Sequence, residues 1–449
     1  MSAKFSPIDR YTTYLLPPSL QDWLPEDHLA RFVVEIVDGL DLSALERAYS
    51  GGGKQPYHPA LLLSLLFYGY ATGVFSSRKL EQATYDSVAF RYITADTHPD
   101  HDTIATFRKR FLSELTDLFA QVLVMAQAMG LLQLGKVSLD GTKIKANASK
   151  HKAMSWAHAN KLEKQLRAEV TELLAQAEQA DTEAQPSLDI PEELKRREDR
   201  LAAIAQAKAE IERRAQVRDE AERAAYEEKL ERRRKKEKET GKKTGGRPPQ
   251  EPTPGPRKQD QVNFTDEESR IMPSTEGFVQ GYNAQAAVDV DSHMVMTNHV
   301  TDHCNDKQEV APTLQQLDAL PDAVGKPEGL LADAGYFSQD NVARCEAEDV
   351  TPYISPGREQ HNQSLAARCE PVPECPPDAD AVTRMQHRLK TPDGKAVYAR
   401  RKSTVETVFG IIKEVMGFRR FHVRGLEAVN GEWTLTCLAW NLKRMHALA

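Results

Sequence analysis

The stretch that decides the fold is residues 136–148, KVSLDGTKIKANA, which lies between two regions of helical pattern. It is short and β-branched, and Asp140-Gly141 interrupts it, as in a strand that runs into a turn or hairpin. Before it, residues 1–130 have apolar side chains at helical spacing. After it, residues 151–260 are rich in Ala, Glu, Arg and Lys and poor in aromatic residues. We therefore expect the first strand of a sheet that a long helical insertion then interrupts.

Strand patterns return after residue 264. Residues 281–302, GYNAQAAVDVDSHMVMTNHVTD, contain two β-like runs joined by a polar turn, which is typical of a hairpin. A helix is predicted over 307–320. Residues 329–336, GLLADAGY, resemble a buried strand with Asp333 at its carboxyl end, and 350–356 form another short strand. The order of elements predicts a mixed sheet of the α/β or α+β class, behind an all-helical N-terminal domain.

The helical insertion is predicted to be a helical hairpin or coiled-coil arm. Its two helical stretches, 161–180 and 191–239, are separated by the break QPSLDIP. At 1.5 Å per residue the second helix could reach roughly 70 Å. Its end is basic, and either a solvated face or a DNA-backbone contact explains these cations: Arg232, Arg233, Arg234, Lys235, Lys236, Lys238, Lys242 and Lys243.

Composition sets the broad class of the protein. The chain has 449 residues, of which 40% are apolar and 28% charged, so a buried core is feasible. The net charge of −7 taken alone argues against a nucleic-acid partner, but an average hides local patches. In the N-terminal region, Arg108, Lys109 and Arg110 form one such patch. It is either a solvated helix face or the phosphate-contacting face of a DNA-binding domain.

The sequence also predicts where the protein works. Its five cysteines form no CxxC pair, so we expect reduced thiols in an intracellular protein. The N-terminal residues lack an apolar signal core. The longest apolar run, 61–75, is shorter than the roughly 20 residues that a bilayer span needs. We expect a soluble protein of the cytoplasm, associated with the nucleoid when it binds DNA.

Three carboxylates stand at suggestive positions in this pattern. Asp140 belongs to the first strand, Asp333 ends a later buried strand, and Glu406 lies on a predicted helix. Hard divalent cations such as Mg²⁺ prefer carboxylate oxygens. Two such ions about 3.5–4 Å apart can clamp the attacking and leaving oxygens of a phosphodiester. The three acids therefore predict a site for two divalent metal ions.

The helix that carries Glu406 is also strongly basic. At 100° per residue, Lys402 and Lys413 would project within about 40° of Glu406. Further cations lie close by in the sequence: Arg400, Arg401, Arg419, Arg420 and Arg424. A local positive excess inside an acidic protein is typical of a nucleic-acid path.

The motifs together resemble a known family. The chain is similar to the DDE transposases of bacterial insertion sequences, in the broad superfamily that includes the IS-four-like elements. The resemblance rests on VSLDGTKIKANAS, GLLADAGY and YARRKSTVETVFGIIKEVMGFRRFHVRG, and DTIATFRKRF resembles part of the leading domain. It implies an RNase H-like catalytic core with a DDE triad at Asp140, Asp333 and Glu406.

The resemblance also implies an organisation and a mechanism. Residues 1–130 would be a DNA-binding and assembly domain, 131–150 and 261–449 the catalytic core, and 151–260 the arm with a Gly/Pro-rich loop. The protein would bind terminal inverted repeats as a homodimer, cut DNA with two Mg²⁺ (Mn²⁺ might substitute), and transfer a strand to target DNA.

The third motif departs from the superfamily's pattern in one respect. That pattern is Tyr-x2-Arg-x3-Glu-x6-Lys, and Glu406 and Lys413 fit it. Lys402 stands where the pattern has arginine, while Arg401 and Tyr398 are each one residue early. A cationic role can survive that shift, so Tyr398, Arg401, Lys402 and Lys413 are all candidates for DNA contacts.

Other polar residues allow more than one interpretation. Asp302, His303 and Asp306 form either a polar loop beside the site or nothing of note. Asn283 and Gln285 either line the active face or make hydrogen bonds within a core strand. Two other classes of protein compete with the enzyme. One is a domesticated relative that binds DNA without cutting it, and the other is a structural coiled-coil protein.

Overall fold

A computed structural model describes residues 19–49, 56–180, 190–241, 245, 248–274, 277–357 and 374–449. The chain divides into two compact units. The first contains the described residues of 1–144 and 283–449, and the second contains those of 145–282. The predicted N-terminal helices and most of the predicted catalytic core therefore share one unit. The described part of the predicted arm belongs to the other, together with residues 145–150 and 261–282 of the predicted core.

The first unit begins with eight helices among the described residues: α1 (Leu20–Trp23), α2 (Leu29–Asp38), α3 (Ser43–Arg47), α4 (Pro59–Ala71), α5 (Ser77–Asp86), α6 (Val88–Ile93), α7 (His101–Arg110) and α8 (Leu115–Ala128). Proline suits the first turn of α4, where its missing N–H is not needed. The apolar run that includes α4 is buried on nearly all sides, as its composition predicts.

A mixed sheet follows, as the sequence predicts. Its six strands in the described residues are β1 (Lys136–Lys145), β4 (Arg270–Ser274), β5 (Gly277–Asp289), β6 (Val295–Thr301), β7 (Gly329–Ala332) and β8 (Thr351–Ile354). The short strands β2 (Ala153–Ser155) and β3 (Gln261–Asn263) form a separate two-stranded sheet. Along the sheet the order is β6-β5-β1-β7-β8. β1, β7 and β8 are parallel, and β5 and β6 form the predicted antiparallel hairpin. The α+β, RNase H-like architecture is confirmed.

One local prediction is wrong. The Asp140-Gly141 dipeptide forms no turn, because β1 runs through it as far as Lys145. Glycine is needed there for a different reason. A Cβ on Gly141 would lie 2.2 Å from the Gln285 side chain of β5 and 2.7 Å from that of Asn283. Gly141 thus allows close packing of neighbouring strands.

Helices cover the sheet and its outer strand. They are α11 (Val310–Asp318), α12 (Gln339–Ala347), α13 (Ala381–Lys390), α14 (Pro392–Arg401), α15 (Thr407–Gly410) and α16 (Leu426–Leu448). In the buried α16, Asn441 donates to and accepts from the backbone of Val295 in β6, at 2.8 Å each. The Trp433 indole donates to the Gln285 carbonyl at 2.9 Å. The two Asn441 bonds satisfy backbone groups of β6 that an outer strand would otherwise leave unpaired.

The same α16 joins the N-terminal helices to the core. Glu432 is 0% exposed and accepts hydrogen bonds from the Tyr70 hydroxyl of α4 and from the His422 backbone, both at 2.7 Å. Buried charges are tolerated only with such partners.

The second unit is the predicted arm. Helices α9 (Trp156–Ala180) and α10 (Ile190–Thr240) pack together, so the helical hairpin is confirmed. Their shared core includes Leu166 and Ile204. The short strands β2 and β3 pair antiparallel at one end, and β4 pairs with residues 277–281 of β5.

The basic end of α10 is partly neutralised. Arg232 pairs with Glu228 at 2.7 Å and Arg233 with Glu237 at 3.4 Å, each four residues apart on an exposed helix. These pairs favour the solvated-face interpretation for these two residues. Lys242 and Lys243 lie outside the described residues. In the part of the chain that the structure describes, every helix is too short or too polar to cross a membrane.

Candidate active site

Two of the predicted acids lie on neighbouring parallel strands. β1 and β7 pair in the register Val137 to Leu330 and Ser138 to Leu331. The same register, continued by two residues, brings Asp140 opposite Asp333, just beyond the end of β7. Neighbouring strands are about 4.8 Å apart. Parallel pairing therefore places these two carboxylates side by side, although 193 residues separate them in the chain.

The buried position of Asp140 and the negative charges around it both raise the pKa of its carboxyl. Burial raises the pKa of its carboxyl to about 7, and the nearby Asp333 and Asp306 raise it further. The Gly141 N–H, which donates to Asp140 at 2.8 Å, and the Arg401 guanidinium oppose the shift. Because the surroundings disfavour the negative charge of ionised Asp140, a bound cation would stabilise that ionised form.

Glu406 is linked to Asp140 by Arg401, which contacts both carboxylates. Between α14 and α15 the helix passes through a π-helical turn, Lys402–Glu406. Such a turn accommodates one extra residue, so side chains five residues apart fall on one side. Arg401 accordingly donates to Glu406 at 2.9 Å and lies 3.5 Å from Asp140. The arginine is 9% exposed and lies between the two acids.

The π-turn corrects the angular prediction for Lys402. An α-helical spacing would place Lys402 beside Glu406, but in the structure Lys402 is exposed and Arg401 contacts Glu406 instead. Arg401 stands five residues before Glu406, one more than in the superfamily's pattern, and the extra residue of the π-turn compensates for this difference. Lys413 lies near the first strand, where its ammonium donates to the Lys143 carbonyl at 3.1 Å.

The remaining cations of this region have different surroundings. Arg400 pairs with Asp291 at 2.8 Å in the β5–β6 turn. Arg419 pairs with Glu414 and also donates to the Lys413 carbonyl at 3.2 Å. Arg420 is exposed and Tyr398 is half-buried on α14. The exposed cations Arg400, Lys402, Arg419 and Arg420 form a basic surface on the segment that carries Glu406.

The N-terminal cluster is split by the fold. Arg108 turns inward and donates to the Tyr70 hydroxyl at 3.1 Å and the Phe75 carbonyl at 3.0 Å, which favours a structural role. Lys109 and Arg110 are exposed on α7. Arg110 also lies over the Tyr49 ring, 5.2 Å from its centroid.

A fourth acid, Asp306, joins the site from the loop between β6 and α11. Its Oδ1 accepts hydrogen bonds from Asn283 at 2.7 Å and from Gln285 at 2.8 Å, and the Lys143 ammonium lies 3.6 Å away. From sequence alone, Asp306 belongs either to a polar loop beside the site or to a loop of no note. Only the alternation of Asn283 and Gln285 on one face of β5 could have indicated an acceptor above them.

A histidine pair braces the same loop. Glu309 is 3% exposed and accepts from His299 of β6 and from His303, both at 2.8 Å. Burial works to raise the pKa of Glu309, but the two histidine hydrogen bonds outweigh it and hold the pKa at about 2. The brace fixes the loop that carries Asp306. His303 therefore has a structural partner.

The oxygen donors suit a hard cation, but their arrangement is not a finished metal site. Within the described residues, no three acidic, histidine or cysteine side chains are already grouped to hold a metal ion. Arg401 lies between Asp140 and Glu406 instead. Close by, the buried Asn283 Oδ1 has no hydrogen-bond partner among those residues. Such an orphaned acceptor, beside crowded carboxylates, fits a cation with bound water.

Comparison with protein families gives two matches. The model of a transposase DDE domain matches residues 249–442, which include Asp306, Asp333 and Glu406. A second transposase domain model, DUF772, matches residues 18–110. Asp140 lies outside both matched segments. No curated protein and no solved structure gives a significant match. The two family matches indicate that the chain is a DDE transposase of insertion-sequence type.

Proposed function

We propose that the protein binds the terminal inverted repeats of its own bacterial element, cuts phosphodiester bonds at the element's ends, and joins a freed DNA 3′-hydroxyl to a target strand. The observation that carries the proposal is the pairing register that brings Asp140 opposite Asp333 on neighbouring strands. Arg401 contacts both Asp140 and Glu406 and so holds the third acid near this pair.

Asp140, Asp333 and Glu406 would hold the divalent metal ions on which transposases of this kind depend. When bound, such ions (Mg²⁺, with Mn²⁺ as a substitute) lower the pKa of water and neutralise charge on the phosphate. Glu406 is available for this role only when Arg401 releases it. The freed guanidinium would then be placed to pair with a DNA phosphate, for which arginine is well suited.

The DNA would follow the basic surface of the Glu406 segment. Exposed Lys402 and Arg420, together with Tyr398, Lys413 and Arg419, would contact the backbone there. Lys109 and Arg110 of α7 and the basic end of α10 offer further phosphate contacts. Since the two ends of an element must be cut together, we propose that the protein acts as a homodimer on DNA. It would do so in the cytoplasm, at the nucleoid.

A catalytically silent, domesticated relative is the second candidate. The observation that favours it is the Arg401 guanidinium between Asp140 and Glu406, because a permanent ion pair there would block a shared metal site. A silent relative would still bind the inverted repeats through its basic surfaces.

Cleavage of supercoiled DNA separates the two candidates. A plasmid carrying the inverted repeats that flank the gene is incubated with the full chain and Mg²⁺. We expect cleavage at the repeat ends, its loss in Asp333→Ala, and repeat binding by both proteins. Asp318→Ala removes an exposed acid of α11 and serves as the control that keeps cleavage. Repeat binding without cleavage by the wild type, in Mg²⁺ and in Mn²⁺, would favour the silent relative.

A further inference from the structure

Asp306 is held over the sheet from two sides. It lies in the loop between β6 and α11, and Glu309 fastens this loop through hydrogen bonds with His299 and His303. On the other side, the amides of Asn283 and Gln285 in β5 donate to Asp306 at 2.7 and 2.8 Å. A loop acid gains no comparable order from packing alone, because loops carry few apolar contacts.

The Gln285 amide cannot rotate freely. Its oxygen accepts a hydrogen bond from the Tyr336 hydroxyl, which is fully buried, and its nitrogen donates to Asp306. Tyr336 belongs to the GLLADAGY motif, three residues after Asp333. The same short segment therefore supplies one site carboxylate and fixes the partner of another.

The two oxygens of Asp306 have different surroundings. Among the described residues, the donors that reach Asp306 all end on Oδ1. Oδ2 lies on the side of Asp333, since a Cβ built on Gly335 would be 3.7 Å from Asp306 Oδ2 and 2.9 Å from Asp333 Oδ1. One oxygen is thus used for positioning while the other points toward a triad carboxylate.

A second, independent feature points to a ligand at this place. Asn283 is fully buried, and its Oδ1 has no partner within the described chain. The amide cannot be turned round to remove the problem, because its nitrogen already donates to Asp306 at 2.7 Å and to the His303 carbonyl at 3.2 Å. An unsatisfied buried acceptor is destabilising, because it has lost its hydrogen bond to water without gaining another. A metal-bound water would supply the missing donor.

We infer that Asp306 is a fourth acidic ligand of the active site, which holds a divalent metal ion together with Asp140 and Asp333 through its Oδ2 oxygen. The inference rests on the proposed function, because it adds a residue to the metal site of that function. Asn283 and Gln285 are then positioning residues that orient the Asp306 carboxylate. Asp306 thereby provides an acid that Arg401 does not engage in the described structure.

The inference can be tested by titrating the full chain with Mn²⁺, which does not depend on catalysis. Binding is measured as the loss of the electron paramagnetic resonance signal of free Mn²⁺. Asp306→Asn removes the charge but keeps an oxygen that accepts from Asn283 and Gln285, so the fold should persist. We expect its Mn²⁺ affinity to be at least about tenfold weaker than that of the wild type. Asp318→Asn, which removes an exposed acid of α11, should bind like the wild type.

Asp140→Asn distinguishes the possible failures. Weaker binding by Asp140→Asn together with wild-type binding by Asp306→Asn would overturn the inference and leave the proposed function intact. Wild-type affinity in both variants would overturn both. If circular dichroism shows that Asp306→Asn is unfolded, Asp306→Glu replaces it, because this variant keeps the charge and moves the oxygens by one methylene. Reduced affinity is again the supporting result, and unchanged affinity the opposing one.

Discussion

Arg401 donates a hydrogen bond to Glu406 at 2.9 Å although the two residues are five positions apart on one continuous helical segment. An α-helix would turn them well away from each other, and the π-helical turn Lys402–Glu406 brings them together. The same guanidinium lies 3.5 Å from Asp140. One arginine thus connects the first and the third predicted acids.

Removing this arginine should strengthen metal binding. In Arg401→Ala, Asp140 and Glu406 no longer share a competing cation, and a hydrogen bond between charged groups is worth about 1.5–3 kcal/mol. We expect Mn²⁺ affinity to rise about tenfold and metal-free thermal stability to fall. Lys402→Ala, the exposed neighbour, is the matched control and should change neither. A weaker affinity in Arg401→Ala would show that the guanidinium helps to build the metal site.

Deleting Ser403 should convert the π-turn into an α-helix. The deletion places Arg401 four residues before Glu406, the spacing at which α-helical side chains meet. We expect a folded protein with a melting temperature near that of the wild type. Deleting Thr407, an exposed residue of α15, lacks this compensation and should rotate the buried Val408 and Phe409 out of the core. Equal stability of the two deletion variants would contradict the interpretation of the π-turn.

Replacing Gly141 with alanine should disturb the site without a change of charge. The new Cβ would lie 2.2 Å from the Gln285 amide nitrogen and 2.8 Å from Asp306 Oδ1. Crowding of this kind costs about 1–3 kcal/mol. We expect lower stability in denaturant unfolding and weaker Mn²⁺ binding. Gly410→Ala, where a Cβ meets open space, is the control. Unchanged metal affinity in Gly141→Ala would argue against this packing.

The buried Glu432 should be essential for joining the N-terminal helices to the core. Its carboxylate is held by hydrogen bonds with Tyr70 and His422. Burial acts to raise the pKa of Glu432, but these partners outweigh it and lower the pKa. Glu432→Ala leaves those partners unsatisfied, which typically costs about 3–5 kcal/mol. Chemical denaturation should show that loss, whereas Glu427→Ala, an exposed acid of the same helix, should change stability little. Similar values for the two variants would contradict a structural role for Glu432.

The Glu309 brace should make stability depend on pH. Its pKa is lowered from 4.5 to about 2, so the ionised form stabilises the fold. That contribution is complete above pH 4.5 and disappears as the pH falls toward 2. A shift of this size corresponds to about 3 kcal/mol. Denaturation of Glu309→Gln and wild type should therefore differ most above pH 4.5 and converge in acid. A difference that is constant with pH would exclude the carboxylate as its source.

Much of the site could be predicted from sequence because its signals are local. Asp333 follows an apolar run that ends in a turn, and Glu406 stands between cations on a helical segment. For Asp306 and Asn283 the sequence offers only the alternation of Asn283 and Gln285 on one face of β5. Their partnership comes from a contact between a loop and a strand about 20 residues apart, which this alternation does not specify. The turn predicted at Asp140-Gly141 is wrong because glycine is equally common in turns and where strands pack closely.

By itself, the sequence determined the helical N-terminal region and the interrupted mixed sheet, because the spacing of apolar residues and the ends of strands are properties of short segments. It also predicted the three acids as a candidate site. Only the tertiary structure decided that a π-turn presents Arg401 rather than Lys402 to Glu406, and that Arg108 turns inward to Tyr70. Both outcomes depend on which side of a helix meets its neighbours. That choice is made by packing over the whole unit, where one residue of register changes every contact.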